Sequence, residues 1–328
     1  MQQTKAQAAP TFFMSEEEIA AFHRDGVAGP FKLLDQDEMK ERWKRERPRL
    51  FDRSHAVYPD AEPGSGVYDY DRHLDNEFLA ELVCRPEITH RLAGILGPDV
   101  LCWRSEFFVK YPGDEATDWH QADHFGGASG IPHIRWPGSV GLKRSVSGEQ
   151  NGTMTAWIAF TDADEETSCM RFIPGTRHEL HYDEIQGMTY EPDKKNQRVI
   201  AGEKRGFFGY DWRELKVDPN FEPDESKAFS APCKAGEFML FWSTTMHASH
   251  PHLGKGRPYR LAFAPRYVPT SVTIYEDMKE TGTVTEFGGT FPLDKYGSVL
   301  VSGRNDHPHH RIAERTTRGV PFVNHNPR

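Results

Sequence analysis

The chain has 328 residues, of which 37% are hydrophobic and 12% aromatic, and this is enough to bury a sizeable core. Its formal net charge is -9 and it has no long basic run, which argues against nucleic acid as a partner. No apolar run is long enough to span a bilayer, and residues 1–10 are small and polar without the apolar stretch of a secretory signal. Four widely separated cysteines without a CxxC pair are typical of reduced core thiols. We therefore expect a cytoplasmic protein with no membrane partner and with a disordered start at residues 1–10.

Helix signals come first along the chain. Ser15 followed by Glu18 is a capping box, which predicts a helix start, and the Gly at position 26 is typical of a helix end. Amphipathic patterns with similar boundaries recur further on. We predict helices over residues 15–25, 35–45, 76–83 and 87–96, and interpret them as scaffolding that flanks a sheet.

Beyond residue 100 the pattern changes to short alternating segments that are typical of strands. Helices gathered at the N-terminus, with no strand–helix alternation, favour a mainly β fold with flanking helices, a jelly roll, over a parallel α/β sheet. A barrel of this size is often one unit, so we expect residues 1–328 to form a single domain. The predicted strands cover residues 101–111, 153–161, 169–173, 238–242 and 259–267.

Two segments are predicted to leave the barrel. Residues 124–152 form a long Gly-rich insertion with three positive groups, Arg135, Lys143 and Arg144. A loop of this length in a folded domain is usually functional or disordered, and we favour a lid or docking loop. Residues 182–203 are polar and are interpreted as a second excursion from the barrel.

His120 is followed two residues later by Ala122. In an extended segment these two side chains point the same way, and Asp or Glu at the second position would complete two arms of the 2-His-1-carboxylate triad that holds non-haem Fe(II). Here the second arm is a methyl group, which leaves room for an exogenous anion without like-charge repulsion. Asp123 is the rival ligand: it faces away in a regular strand, although a bulge could bring it round.

A lone histidine is more often packed or exposed than a ligand, so the metal hypothesis needs a partner. His247 follows the apolar segment 238–242, where a rigid strand can aim it. His250 and His252 compete for the same role from a Pro-containing loop.

The strand predicted over residues 259–267 carries two arginines, Arg260 and Arg266, on a face otherwise made of alanine. A guanidinium binds a carboxylate in bidentate fashion and keeps its charge when buried, so this face has space for an anion. A histidine, a distant second histidine and then an arginine is the order in which iron and 2-oxoglutarate sites are commonly built.

Seven segments carry a resemblance to a known family. The chain resembles the halogenase branch of the phytanoyl-CoA-dioxygenase-like Fe(II)/2-oxoglutarate enzymes, and more narrowly the syringomycin-chlorinase type, over residues 22–322. Its most specific element is His-x-Ala in place of His-x-Asp. The segments are YPGDE (111–115), TDWHQAD (117–123), FTDA (160–163), FIPGT (172–176), RGFFGY (205–210), FWST (241–244) and MHAS (246–249).

The resemblance implies a cupin-like double-stranded β-helix and a halogenation that uses Fe(II), 2-oxoglutarate, O2 and chloride. It implies iron ligation by His120 and His247 alone, with chloride beside Ala122. The remaining implied roles are 2-oxoglutarate binding by Arg260, Trp157 and Thr117, a catalytic place for Thr155 and Arg266, and substrate contact by Phe125 and Gly127.

The implied substrate is an amino acid tethered to an aminoacyl carrier protein (thiolation domain). Carriers are commonly acidic, so we expect the carrier to dock near Arg135, Lys143 and Arg144. Two alternatives stay open at the level of sequence. One is a hydroxylase of the same fold with Asp123 on the iron, and the other is a non-catalytic jelly-roll protein that binds 2-oxoglutarate.

Overall fold

The computed structural model describes residues 11–61, 66–138, 152–200, 202–254 and 256–325. The segment 1–10, predicted to be disordered, lies outside these residues, as does most of the second half of the predicted insertion with Lys143 and Arg144. None of the helices in the described ranges is long and apolar enough to cross a membrane. All four cysteines are buried and free, as expected for core thiols.

The helices cluster in the first third of the chain, and strands dominate the rest. The helices are α1 (Glu16–Asp25), α2 (Gln36–Glu46), α3 (Glu77–Val83), α4 (Pro86–Leu96) and the single turn α5 (Pro192–Lys195). The strands are β1 (Val27–Lys32), β2 (Val100–Lys110), β3 (Ala116–His120), β4 (Ile134–Arg135), β5 (Met154–Ala159), β6 (Met170–Phe172), β7 (Arg198–Ile200), β8 (Glu203–Gly206), β9 (Phe229–Ala231), β10 (Glu237–Trp242), β11 (His247–Ser249), β12 (Arg260–Pro269), β13 (Thr273–Ile274), β14 (Thr283–Glu286), β15 (Gly289–Pro292) and β16 (Val299–Ser302).

Two six-stranded sheets form the barrel, and this confirms the predicted jelly roll. The first sheet has the order β1-β10-β5-β12-β2-β16, and the second has the order β7-β8-β3-β11-β6-β9. The strands pair in antiparallel fashion throughout, except that β3 and β8 run parallel. The chain crosses from the first sheet to the second between β10 and β11, so residues that are close in sequence there serve both walls of the barrel.

Alternation along the strands of the first sheet separates two cores. On β12, Leu261 and Phe263 face outward into a large apolar cluster shared with helices α1 to α4, while Ala262 and Ala264 face the space between the sheets. Strand β5 follows the same rule, with Ile158 outward and Trp157 inward. The helices therefore cover one face of the sheet and leave the other for the barrel interior.

The predicted helix boundaries hold within one or two residues, with one difference at α2. At α1 both hydrogen bonds of the capping box form, and Gly26 ends the helix at φ 78°. At α2 the N-cap Asp35 makes no capping hydrogen bond, and one oxygen of its carboxylate is paired with the Lys32 ammonium at 2.6 Å.

The two predicted excursions are more structured than expected. The described part of the first, residues 124–138, includes β4, which pairs with β13, so this part is not a plain loop. In the second, β7 already lies at the edge of the second sheet. The return to the barrel therefore begins at residue 198, before the predicted end at 203.

The outward cluster should dominate the stability of the fold. Phe263 is fully buried, and its ring lies 5.1 Å from that of Phe107. We expect Phe263→Ala to lower the free energy of unfolding by about 3–5 kcal/mol. Phe51→Ala, at an 82% exposed side chain, should change it by no more than about 0.5 kcal/mol. Chemical denaturation of both variants measures the difference, and equal losses would contradict this assignment of the core.

Candidate active site

A cavity of about 120 Å³ lies between the two sheets. It is lined from the second sheet by β3 and β11, and from the first by β2, β5 and β12. All ten site residues predicted from sequence line this one cavity, although they come from segments up to 149 positions apart. They are Thr117, His120, Ala122, Phe125, Gly127, Thr155, Trp157, His247, Arg260 and Arg266.

His120 and His247 face each other across the β3–β11 pairing. They are direct partners in the register, and their ring centroids lie 4.0 Å apart. Each Nδ1 donates a hydrogen bond to a backbone carbonyl two residues earlier, Asp118 O at 2.8 Å and Thr245 O at 2.7 Å. Since a carbonyl can only accept, the proton is on Nδ1, and no hydrogen bond in the described residues engages either Nε2.

Both imidazoles are held neutral. Burial lowers the pKa of His247 to about 4. Burial and, to a lesser extent, the neighbouring His247 lower the pKa of His120 well below its usual range. The neutral ring with Nδ1 occupied by a backbone acceptor is the form that binds a metal through Nε2. The pair therefore presents two oriented nitrogen donors to the cavity.

The rival ligands weighed from sequence face elsewhere and do not line the cavity. His250 Nε2 lies 2.8 Å from Ser230 Oγ, and His252 Nε2 is 2.8 Å from Pro258 O. The backbone of Asp123 donates to Glu184, and its carboxylate accepts from the N–H of His124 at 2.9 Å. A bulge that turns Asp123 toward the histidines is absent.

A bulge occurs instead within β3. His247 pairs with His120, and Ser249 pairs with Thr117. The two paired positions are three residues apart on β3 but only two residues apart on β11. The extra residue reverses the alternation, which brings Thr117 and His120 to the same cavity although they are three positions apart. Regular alternation would have placed them on opposite faces.

Ala122 lies just beyond the end of β3 with its backbone held on both sides. Its N–H donates to Ser243 O at 2.9 Å, and its carbonyl accepts from Ser243 Oγ at 2.6 Å. The neighbouring Gln121 turns away and donates to three backbone carbonyls, including Thr244 O at 2.7 Å. The methyl group of Ala122 therefore faces the cavity in a fixed position where a carboxylate would otherwise stand.

Arg260 is a buried cation without a counterion. It is 2% exposed, donates to Phe108 O at 2.9 Å and to Ser168 Oγ at 3.2 Å, and no carboxylate of the described residues lies within 4.0 Å of it. Its Nε has no partner in this part of the chain, and the guanidinium lies 5.4 Å from the Trp157 ring. Burial lowers its pKa to about 10. An unpaired cation at the end of a cavity fits an incoming carboxylate.

Arg266 differs from Arg260, because its charge is balanced. It donates to Glu106 Oε2 at 2.7 Å and to Thr155 Oγ1 at 3.2 Å. Beside it, Arg104 is paired with Glu286, with 3.2 Å between Nη1 and Oε2. These two pairs line one end of the cavity.

Sequence reasoning missed Arg104, Glu106 and Glu286. A sequence signal was available for the first two, because these charged residues alternate with apolar residues along β2. In the strand pairing, Arg104 lies opposite Arg266 and Glu106 lies opposite Ala264. No comparable signal marks Glu286, which comes from the β14–β15 hairpin.

A second group missed from sequence surrounds Asp123. Donor atoms of Asp123, His124 and Glu184 lie within 4.8 Å of one another, a geometry compatible with a metal ion. However, Glu184 Oε2 accepts the backbone N–H groups of residues 123, 124 and 125 at 2.8–3.1 Å, and Oε1 accepts that of Gly127 at 3.3 Å. The carboxyl group is therefore occupied as a clamp on the backbone.

The rest of the cavity wall is aromatic. The His120 ring lies 4.5 Å from Phe207 and 5.2 Å from Trp212, edge to face and tilted respectively. Phe125 packs against the Arg266 guanidinium at 4.6 Å. An apolar lining with a few oriented polar groups is typical of a small-molecule site, and it keeps the two histidine nitrogens in a poorly hydrated space.

Comparison with known proteins agrees with this geometry. The sequence profile of the phytanoyl-CoA dioxygenase (PhyH) family matches residues 22–260. The solved structure "CytC3 with Fe(II) and alpha-ketoglutarate" is 38% identical, with a TM-score of 0.73, and the match covers 97% of this chain and 100% of that one. A second CytC3 structure is 40% identical, again with a TM-score of 0.73, over 97% and 99% of the two chains.

More distant structures share the fold alone. The non-heme monooxygenase ThoJ in its nickel complex is 17% identical with a TM-score of 0.56, over 93% of this chain and 89% of that chain. No curated protein sequence matches the chain. The family profile over more than two thirds of the sequence, together with the nearly full-length similarity to CytC3, shows that the chain belongs to the phytanoyl-CoA dioxygenase family of Fe(II)/2-oxoglutarate-dependent enzymes.

Proposed function

We propose that the protein is a halogenase that uses Fe(II), 2-oxoglutarate, O2 and chloride to chlorinate an unactivated carbon of an amino acid carried by a carrier protein. The observation that carries the proposal is the trio of His120, His247 and Ala122 in one cavity, with two neutral nitrogen donors and a methyl group in place of the third ligand. A hydroxylase of this fold needs a carboxylate at that position.

His120 and His247 fit an Fe(II) ion as its only protein ligands. Their free Nε2 atoms face the cavity, and the carbonyls of Asp118 and Thr245 hold both rings in the tautomer that binds metal. With O2 and 2-oxoglutarate, the bound iron would supply the oxidising power to break an unactivated C–H bond, and a chloride ligand would supply the atom that replaces hydrogen.

Arg260 fits the distal carboxylate of 2-oxoglutarate. The acid would supply the missing counterion of a guanidinium that already has backbone and hydroxyl partners on its other side. Trp157 would pack beside this carboxylate, and Thr117 lines the same cavity. The wall also excludes water from the charged pair, which strengthens the interaction.

Ala122 fits a chloride neighbour for reasons of both volume and charge. A methyl group leaves room for the anion and adds no negative charge of its own. Thr155 and Arg266 stand close by, and the hydrogen bond between them fixes the hydroxyl group of Thr155. Because Glu106 balances Arg266, these residues hold the wall without adding a free charge next to the chloride.

The substrate would occupy the end of the cavity that Phe125 and Gly127 line. We propose that an aminoacyl carrier protein delivers it, and that the carrier docks near the positive groups of residues 135–144. Of these, Arg135 is paired with Asp277 at 2.6 Å and is partly exposed, so part of its charge is already balanced. Lys143 and Arg144 lie outside the described residues.

Substitution at Ala122 tests the proposed reaction. With Fe(II), 2-oxoglutarate, O2 and chloride, wild-type protein should add chlorine to one member of a panel of aminoacyl carrier proteins. Ala122→Asp should retain iron and lose chlorination, because the carboxylate excludes the halide by volume and charge. Ala122→Gly leaves the position open and should still chlorinate.

Intact mass spectrometry of the carriers reads the outcome. A wild-type product that gains only oxygen when chloride is present would show a hydroxylase instead. Chlorination by Ala122→Asp would show that the halide binds elsewhere. Free amino acids, run in parallel, test whether the carrier is needed.

The assignment of the iron ligands is tested at His247. His247→Ala should weaken Fe(II) binding at least about a hundredfold, because it removes a direct ligand. His250→Ala, three residues on, removes a ring that bonds only to Ser230 and should leave iron binding unchanged. Iron content after equilibrium dialysis measures both. Unchanged iron content in His247→Ala would move the metal to another group, of which Asp123, His124 and Glu184 would be the first to examine.

Arg260 provides the test for 2-oxoglutarate. Removing one partner of a buried charged pair costs about 2–5 kcal/mol, so Arg260→Ala should weaken 2-oxoglutarate binding by about two orders of magnitude. Arg257→Ala removes an arginine that is paired with Asp164 at the surface and serves as the control. Anaerobic calorimetry on the iron-loaded proteins measures both affinities. If the two variants bind equally well, the carboxylate does not bind at Arg260.

A further inference from the structure

The loop formed by residues 123–127 follows Ala122 directly and makes the next part of the cavity wall. It carries Phe125 and Gly127, the two residues expected to contact substrate. No strand of either barrel sheet includes it, so its shape depends on other contacts. Those contacts come mainly from Glu184, which lies in a short turn sixty residues further along the chain.

Glu184 clamps this loop with both carboxylate oxygens. Oε2 accepts the N–H groups of Asp123, His124 and Phe125 at 2.8, 2.9 and 3.1 Å, and Oε1 accepts that of Gly127 at 3.3 Å. The side chain is 1% exposed and itself lines the cavity. Four backbone donors therefore bond to one side chain. The carbonyl groups of the loop have other partners, because His124 O accepts from His133 N–H at 2.8 Å and Gly127 O accepts from Met188 N–H at 2.7 Å.

The loop needs such a clamp, because its conformation is not one that the chain adopts easily. Phe125 has φ 59°, in the left-handed region that a bulky residue rarely occupies, and such strain persists only where surrounding contacts maintain it. At Gly127 an added Cβ would lie 3.0 Å from Met188 Cε and 3.4 Å from Glu184 Oε1. The clamp and the absent side chain at Gly127 together bring the loop close to the cavity.

The position of Phe125 connects the clamp with the chemistry proposed above. Its ring lies 4.6 Å from the Arg266 guanidinium, which in turn donates to Thr155. The same ring also packs edge to face against Trp103, with 5.4 Å between centroids. A shift of the loop would therefore move the wall on which substrate rests while the two histidines, held by β3 and β11, stay in place.

We infer that Glu184 is a positioning residue that fixes the 123–127 loop, and through Phe125 and Gly127 sets where the substrate carbon lies relative to the iron and the halide. The part of the inference that concerns the substrate rests on the proposed function, whereas the part that concerns the shape of the loop does not. The quantity expected to change is the amount of product formed per 2-oxoglutarate consumed, because a misplaced carbon is not attacked even when iron and 2-oxoglutarate are bound.

The clamp lies beside a second buried carboxyl group. One oxygen atom of Glu184 and one of Asp123 lie within 4.8 Å of each other, so two negative charges there would repel. Burial raises the pKa of Glu184 to about 8, and Asp123 adds to the effect against the opposing influence of His124. A glutamine at 184 keeps one carbonyl oxygen that can accept from the N–H groups of Asp123, His124 and Phe125, whereas its amide nitrogen cannot accept from that of Gly127.

The experiment compares Glu184→Ala, Glu184→Gln and the control Asp183→Asn. Asp183 lies on the same turn, but its carboxylate caps Ile185 and does not touch the loop. Amide hydrogen exchange on protein without iron or substrate gives the first measurement. Residues 123–127 should exchange at least about tenfold faster in Glu184→Ala, because each lost acceptor leaves a buried donor unpaired. Asp183→Asn should stay close to wild type throughout the loop, and Glu184→Gln should do so at residues 123–125.

The second measurement is product formed per succinate formed with a substrate that the wild type converts. In Glu184→Ala this ratio should fall at least about tenfold, with Fe(II) and 2-oxoglutarate affinities within about twofold of wild type, and Glu184→Gln should restore it. A merely structural role would lower all of these quantities together. If Glu184→Ala does not fold, Glu184→Asp, which shortens the acceptor by one methylene group, takes its place with the same expected direction.

Two results would overturn the inference. One is unchanged exchange at residues 123–127, and the other is a product ratio that stays at the wild-type value or is not rescued by glutamine. Failure of the proposed function looks different. A wild type that hydroxylates or does not turn over would refute chlorination, while the exchange rates would still decide whether Glu184 holds the loop.

Discussion

The site depends on the antiparallel pairing of β3 with β11. This pairing sets His120 opposite His247, and the backbone carbonyls of the same segments orient both rings. Because the donors are fixed by main-chain hydrogen bonds, the two nitrogens converge without help from a metal. Burial keeps both rings neutral, so the protein presents two ligands with no charge.

Because the two histidines are uncharged, the charge in the cavity comes from the residues around them. At one end of the cavity Arg260 has no counterion among the residues that the structure describes. At the other end the pairs Arg266–Glu106 and Arg104–Glu286 are balanced. A buried unpaired cation is costly, so a dicarboxylate that binds there removes a penalty of the empty protein. Such a ligand also stabilises the fold, because it binds the native state and not the unfolded chain. The open charge at Arg260 and the balanced charges at Arg266 and Arg104 therefore distinguish two parts of the cavity.

The cavity wall that follows Ala122 is held in a different way from the two histidines. The histidines lie on strands, whereas four N–H groups of the loop after Ala122 bond to one carboxyl group from a distant turn. Rigid ligands beside an adjustable wall suit an enzyme whose outcome depends on where the substrate carbon lies. Under the proposed function, the iron donors would stay the same while the wall sets which carbon comes close, so specificity and metal binding would be separable.

The local features of the chain were largely predictable from sequence. The capping box at Ser15 and Glu18, the strand that carries Arg260 and Arg266, and the His-x-Ala pattern each depend on residues within one element, where side-chain periodicity acts directly. The choice of His247 over His250 followed from the same local reasoning, since an apolar strand precedes it. The jelly roll followed from the order of these elements along the chain.

What the sequence by itself determined is therefore the four N-terminal helices, the longer strands that line the cavity and the fold class. Only the tertiary structure decided the β3 bulge that brings Thr117 to the side of His120, the pairing of Arg266 with Glu106, the approach of Glu286, and the clamp from Glu184 to the loop after Ala122. The physical reason is that each of these depends on cross-strand register or on contact between distant segments, and such contacts form only when the sheets close around a shared core.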